Sequence, residues 1–139
     1  MSEYQITELY IGLMTNNGIF VAVNIFLLWM MFRGVNVARD NGSNLFQKIL
    51  STLASGCVLI FNLGTWGNMS STVNNWAYSL SQLEERSGAS QAFVDRMGAT
   101  GYTDPSLIPS DPVTIVFWAV IAISLFMGIC TCLLYTSDA

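Results

Sequence analysis

Five carboxylates between positions 67 and 111 are the residues of this sequence most capable of chemistry: Glu84, Glu85, Asp95, Asp104 and Asp111. A pair of carboxylates can act as acid and base in a hydrolase, and an acidic loop can bind Ca²⁺. On a helix, however, the adjacent Glu84 and Glu85 point to different parts of the surface. Asp104 and Asp111 each precede a proline, which is typical of a turn or a helix cap. The pattern therefore favours a solvated face over a catalytic or metal site.

A second group of candidate residues forms stripes of small and polar side chains inside three long apolar stretches. Its members are Asn17, Gly18, Ala22, Asn24, Ser55, Asn62, Ser124 and Gly128. Gly18 with Ala22, and Ser124 with Gly128, form small-xxx-small patterns, which let two helix backbones approach closely. The stripes have two interpretations: a polar pathway for an ion or solute, or packing and hydrogen bonding between helices. We favour packing, because an ion pathway usually includes an ionisable residue within the membrane, and none lies deeper than Lys48.

The composition argues against several classes of site and partner. There is no histidine, which removes the commonest general base and the commonest neutral metal ligand. Cys57 and Cys130 lie inside apolar stretches, where cysteine usually behaves as a small hydrophobic residue. A net charge of −4 with five basic residues argues against nucleic acid, because phosphate contacts need clustered Lys and Arg. We therefore expect no cofactor, no metal and no nucleic-acid partner.

The elements that carry these residues are three apolar segments at about 11–33, 45–66 and 112–131. Of the 139 residues, 53% are apolar and 10% are charged, against about 25% charged in soluble proteins. About 20 apolar residues span a hydrocarbon core of about 30 Å. Ser43 or Asn44 is placed to cap the second helix, and Asp111 followed by Pro112 marks the start of the third. We predict an all-α membrane protein, a bundle of at least three transmembrane helices in one integral membrane domain, residues 1–131, with the lipid bilayer as its surroundings.

The polar connection between the second and third segments, residues 67–111, is too long for a plain turn. Two runs of apolar residues recur in it at helical spacing, and Ser87 and Gly88 separate them. We predict a short amphipathic helical segment here, lying on the membrane or against the bundle. Trp66 and Trp76 lie near the membrane boundary, where aromatic rings commonly anchor a protein.

The basic residues predict the orientation in the membrane. The first loop region carries Arg33, Arg39 and Lys48, whereas the N-terminal tail carries two acids and no base. Cytoplasmic loops are enriched in Lys and Arg near helix ends. We therefore predict a multi-pass protein of the inner (cell) membrane, with the N-terminus outside, the loop 34–44 in the cytoplasm and the connection 67–111 outside. The absence of a basic N-terminal region also argues against a signal peptide.

The eight C-terminal residues, CLLYTSDA at 132–139, match one translated frame of a transposon sequencing adapter. Segments of this kind are excluded before reasoning about a fold. We expect that they are an artefact and that the native C-terminus is missing. The alternative is a native tail that happens to match.

The depths of two amides predict how the first two helices pack. Their short connection makes them antiparallel, and spans at about 13–33 and 46–66 have level midpoints. Asn17 and Asn62 would then both lie about 9–10 Å above the bilayer centre. Since unpaired amides are unfavourable in lipid, we predict that the face of the first helix with Asn17 and Asn24 meets the face of the second helix with Ser55 and Asn62, away from lipid. The level amides can then bond to each other.

Two function classes remain open from the sequence. The first is a small accessory or structural subunit that packs against other membrane-protein subunits or against itself. The alternative is a pore or transport element, either the N-terminal part of a longer carrier or a holin-like protein, although the long outer connection argues against a holin. An enzyme ranks third, because its active groups would have to lie beyond residue 131.

Overall fold

The computed structural model describes residues 1–41 and 44–134, and within these ranges the chain forms four helices and no strand. They are α1 (Glu3–Asn41), α2 (Leu45–Ser81), α3 (Gly88–Met97) and α4 (Pro112–Leu134). The predicted all-α class is thus confirmed. By length and composition, α1 and α2 can each cross a membrane, whereas the apolar part of α4 found by the same criteria, Pro112–Gly128, is shorter. Ser43, the other residue predicted as a cap of the second helix, lies outside the described residues. So do residues 135–139, which belong to the CLLYTSDA segment.

The first two helices are much longer than the apolar segments that predicted them. Helix α1 begins at Glu3 rather than near 11, and α2 continues to Ser81 rather than ending near 66. A helix is held by its own backbone hydrogen bonds, so leaving the apolar stretch does not end it unless a breaker follows. The first amphipathic run of the connection is therefore the outer part of α2. The separate short helix is α3, and the connection without long-helix structure begins at residue 82.

Side-chain caps set the helix starts. Asn44 Oδ1 accepts a hydrogen bond from the Gln47 N–H at 2.8 Å, and Gln47 Oε1 accepts one from the Asn44 N–H at 3.1 Å. This reciprocal pair satisfies two donors at the start of α2, so the prediction of a cap at Asn44 is confirmed. Asp111 Oδ2 accepts from the Thr114 N–H at 2.8 Å, which confirms the predicted start of α4.

The chain divides into two compact units. Unit 1 comprises Met1–Val21 and Gly64–Leu107, and unit 2 comprises Ala22–Leu63 and Ile108–Ala139. The apolar residues buried in unit 1 are Ile6, Ala77 and Leu80, and those buried in unit 2 are Val35, Leu59 and Leu125. Both cores are small, because many large apolar side chains of the two long helices are exposed rather than packed against other residues of the chain.

Candidate functional site

The predicted helix-packing residues fall into a buried set and an exposed set. Asn17, Asn24, Ser55 and Asn62 are all buried, with exposed fractions of 9%, 2%, 0% and 5%. Gly18, Ala22 and Ser124 are exposed, and Gly128 is half-buried. The amides and Ser55 thus lie on inner faces of the long helices, while one of the two small-xxx-small patterns is open to the surroundings.

The register of α1 against α2 in unit 1 differs from the predicted one. Asn17 Nδ2 donates to Thr72 Oγ1 at 3.3 Å, and the hydroxyls of Tyr10 and Ser79 lie 3.0 Å apart. Both pairs keep one register, since seven residues separate their members on each helix. Asn62 Nδ2 donates to its own helix, at the Val58 carbonyl, at 2.8 Å.

Asn17 and Asn62 do not bond to each other, because Asn17 bonds Thr72 and Asn62 bonds its own helix. Asn17, Asn24, Ser55 and Asn62 are all buried, as expected for helix faces that are turned away from lipid. Within unit 1 the residue of α2 that is level with Asn17 is Thr72, so equal midpoints of the two apolar segments do not set the alignment there.

In unit 2, Ser55 combines full burial with an unsatisfied hydroxyl. Its Oγ has no hydrogen-bond partner among the residues that the structure describes. A serine hydroxyl buried in a helix commonly bonds the carbonyl one turn back, as Ser124 Oγ does to the Val120 carbonyl at 2.8 Å. Ser55 is thus a sensitive position at which to ask whether water reaches the interior of the protein.

Within unit 2, α4 approaches α1 closely at Gly128. A Cβ atom at this position would lie 2.8 Å from Val35 Cγ1, so only glycine allows the observed spacing without a shift of the valine. At Gly18 the opposite holds, because a Cβ atom there would meet nothing within 4 Å. The two small-xxx-small patterns therefore differ: Gly128 has a neighbour within the chain, and Gly18 faces open space.

The N-terminus of α1 caps α3 through one carboxylate. Glu3 Oε2 accepts the Ser87 N–H at 2.8 Å, and Glu3 Oε1 accepts both the Ser87 and the Ser90 hydroxyls at 2.6 Å. These bonds favour the charged form and lower the pKa of Glu3, with the Ser87 hydroxyl as the largest cause. Because 84 residues separate Glu3 from Ser87, no local pattern in the sequence signals this contact.

The segment after α3 is bound along the outer part of α2 by two amides. Asn74 Nδ2 donates to the Gly101 carbonyl at 2.9 Å, and Asn75 both donates to the Thr103 carbonyl at 3.0 Å and accepts the Thr103 N–H at 2.8 Å. Asn75 thereby satisfies both the N–H and the carbonyl of Thr103. Polar residues that read as a solvated connection in the sequence hold this segment in place.

Aromatic side chains complete the contacts of unit 1. Trp76 stacks on Tyr10, with ring centroids 6.2 Å apart, and meets Phe93 at 5.0 Å. Tyr78 meets Tyr102 edge to face at 4.8 Å. Trp76 was expected near the membrane boundary as an anchor, and in the structure it joins α1, α2 and α3.

The carboxylates of the connection are dispersed. Asp95 accepts from Gln91 Nε2 at 2.7 Å, and Asp111 caps α4, where the Thr114 hydroxyl and N–H lower the pKa of its carboxyl. Glu84, Glu85 and Asp104 are exposed. Within residues 1–41 and 44–134 there is no cluster of three or more His, Cys, Asp or Glu side chains suited to a metal ion.

No protein-family model, curated protein or solved structure matches this chain.

Proposed function

We propose that the chain is an integral membrane protein that acts as an accessory or structural subunit of a larger membrane complex. The observation that carries this proposal is the low burial of its long apolar helices. Only 11% of the most apolar window of α1, and 22% of that of α2, is buried within the chain. The core helix of a soluble protein buries most of such a window, so these side chains need lipid or another protein around them.

An exposed face of α1 supports a protein partner in addition to lipid. Tyr4, Ile11 and Gly18 of unit 1 follow one another every seven residues on α1, and all three are exposed. Gly18 leaves a notch on this face, because a Cβ atom there would meet nothing within 4 Å. Lipid chains and helices are equally apolar, so close packing drives helix association in membranes, and small residues permit it. A second transmembrane helix, from another subunit or another copy, fits this face.

The proposal includes three membrane crossings. Helix α4 is the third, with Asp111 at its cap and an uncharged apolar sequence after it. The N-terminus and residues 67–111 lie outside, and the loop between α1 and α2 lies in the cytoplasm, because Arg33, Arg39 and Lys48 cluster there.

The test is a pair of matched substitutions on α1. Gly18→Leu fills the notch, and Gly12→Leu adds the same side chain six residues away, where the helix also has open space. After extraction in mild detergent, we expect native mass spectrometry to detect the wild-type chain and Gly12→Leu as part of a complex of defined mass. We expect the Gly18→Leu variant to be detected without the partner subunit. A wild-type chain that carries only lipid, or a Gly18→Leu variant that keeps the complex, would contradict the proposal.

Asn24, Ser55 and Asn62 are buried polar side chains of unit 2. Their burial is the reason to test the alternative function, a pore or transport element. These polar side chains could line a pore if water reached them. A Ser55→Cys variant that lacks Cys57, Cys130 and Cys132 answers this question with a water-soluble methanethiosulfonate. Helix packing predicts no labelling, and rapid labelling from either side of the membrane would replace the subunit proposal with a pore or transport element.

A further inference from the structure

A cavity of about 490 Å³ lies between the end of α1 and the start of α2, within unit 2. Its lining includes Trp29, Arg33, Gly34, Val37, Gln47 and Ser51. Gly34 also lines this space, and a Cβ atom there would meet nothing within 4 Å. Ligand sites commonly measure about 300–1,000 Å³. The cavity is thus large enough for a small organic group.

The lining joins one cation to neutral donors. The Arg33 guanidinium lies 5.8 Å from the centroid of the Trp29 ring, within the range of a cation–π contact. Gln47 and Ser51 line the cavity from α2. The side-chain oxygen of Gln47 accepts the Asn44 N–H, and the amide nitrogen of Gln47 supplies two donors. Among the described residues no carboxylate lines the cavity, so its chemistry suits an anionic ligand.

The position of the cavity specifies the kind of anion. Arg33 ends the apolar stretch of α1, and Trp29 lies one turn before it. Tryptophan and arginine in this arrangement are typical of the headgroup level on the cytoplasmic side. Val37 and Met30 add an apolar wall beside the donors. A nucleotide or another polyanion would need more than one cation, whereas a single phosphodiester with an apolar remainder matches one arginine and an apolar wall.

We propose that this cavity binds the phosphodiester headgroup of an anionic phospholipid from the cytoplasmic leaflet. Arg33 donates to the phosphate, Gln47 and Ser51 bond the headgroup, and the acyl chains leave along the apolar wall. Guanidinium groups suit phosphate because their donors match two of its oxygens at once. The site rests on the proposed membrane location, but it depends neither on a protein partner nor on the packing face around Gly18.

Native mass spectrometry of the purified full chain in detergent tests this site. The probes are dioleoylphosphatidylglycerol, dioleoylphosphatidylcholine and glycerol 3-phosphate. We expect the wild type to prefer phosphatidylglycerol over phosphatidylcholine by about tenfold, because both lipids offer a phosphodiester to Arg33, but the quaternary ammonium of phosphatidylcholine cancels the negative charge and cannot donate or accept hydrogen bonds, whereas the glycerol hydroxyls of phosphatidylglycerol can bond Gln47 and Ser51. Arg33→Gln removes that preference. Arg96→Gln removes one positive charge from α3 in the same way and leaves the lipid preference intact.

A second variant covers the case in which Arg33→Gln does not fold. Gly34→Leu fills the cavity and keeps the arginine, and we expect it to lose the preference as well. Equal binding of the two lipids to the wild type would overturn the proposal, as would an unchanged preference in Gly34→Leu. Competition by glycerol 3-phosphate at the affinity of the lipid would also overturn it, because the ligand would then be a soluble phosphate. Loss of the protein complex in Gly18→Leu with lipid preference retained separates this site from the subunit function.

Discussion

Gly67 in α2 lies against the backbone of the segment that follows α3, and replacing it tests the fold of unit 1. A Cβ atom at Gly67 would lie 2.9 Å from the carbonyl carbon of Ser106 and 3.2 Å from its nitrogen, and closer still to its carbonyl oxygen. Backbone atoms cannot turn aside as the end of a flexible side chain can. We therefore expect Gly67→Ala to displace the segment around Ser106 from α2.

The size of the effect follows from the bonds that hold this segment. Displacement weakens up to three hydrogen bonds, which join Asn74 to Gly101 and Asn75 to Thr103. Each bond contributes about 0.5–1.5 kcal/mol net, and alanine gains about 0.5–1 kcal/mol over glycine within a helix. We expect a net loss of about 1–3 kcal/mol of stability.

A matched control lies one turn away in α2. A Cβ atom at Gly64 would meet only Leu107 Cδ2, at 3.5 Å, which is an ordinary van der Waals contact. Gly64→Ala is therefore expected to be neutral or slightly stabilising. Both variants have the same change in composition and the same gain in helix propensity.

Hydrogen–deuterium exchange of the reconstituted chain provides the assay, read at residues 98–107. We expect faster exchange there in Gly67→Ala, by about five- to a hundredfold, since each 1.4 kcal/mol is a factor of ten. Gly64→Ala should exchange as the wild type does. If the two variants exchange alike, the close contact of Gly67 with Ser106 does not exist, and the reasoning is refuted.

Two further predictions concern contacts between distant parts of unit 1. Because hydrogen bonds lower the pKa of Glu3, its capping of α3 is fully present above the ordinary value of 4.5 and is lost as the pH falls through the lowered value. The Ser87 amide proton, followed by NMR, should therefore titrate with a midpoint below 4.5 in the wild type and not at all in Glu3→Gln, and a midpoint at 4.5 would contradict the contact. A double-mutant cycle of Asn17→Leu with Thr72→Val should show a coupling of about 0.6 and at most about 2 kcal/mol. The cycle of Asn17→Leu with Asn62→Leu should be additive, and the opposite result would restore the original register.

Much of the fold follows from local sequence signals. The apolar stretches locate the two long helices, and the caps at Asn44 and Asp111 are visible because Asn and Asp accept hydrogen bonds from free N–H groups at helix starts. The far ends of the helices were not predictable from hydropathy. A polar sequence such as that between Gly67 and Ser81 continues a helix when tertiary contacts hold it, and hydropathy reports only the surroundings of the side chains.

The candidate sites show the same division between local and distant information. Burial of Asn24 and Asn62 follows from the polarity of amides in apolar stretches, since an amide facing lipid is unfavourable. The bond of Asn17 to Thr72 could not be predicted from the midpoints of the apolar segments, because α2 continues as a helix beyond the second segment. The Glu3–Ser87 contact and the cavity beside Arg33 depend on residues far apart in the chain or on missing side-chain volume, and neither produces a periodic signal.

Cysteine labelling in intact cells tests most directly whether the chain crosses the membrane with its first loop in the cytoplasm. The reagent is a membrane-impermeant maleimide, and the background lacks Cys57, Cys130 and Cys132. Asn44→Cys and Glu85→Cys place single thiols at exposed positions on the two sides of the proposed membrane. We predict labelling of Glu85→Cys in intact cells and of Asn44→Cys only after permeabilisation. Labelling of Asn44→Cys alone would invert the topology, and labelling of both or neither would contradict the membrane crossing between them.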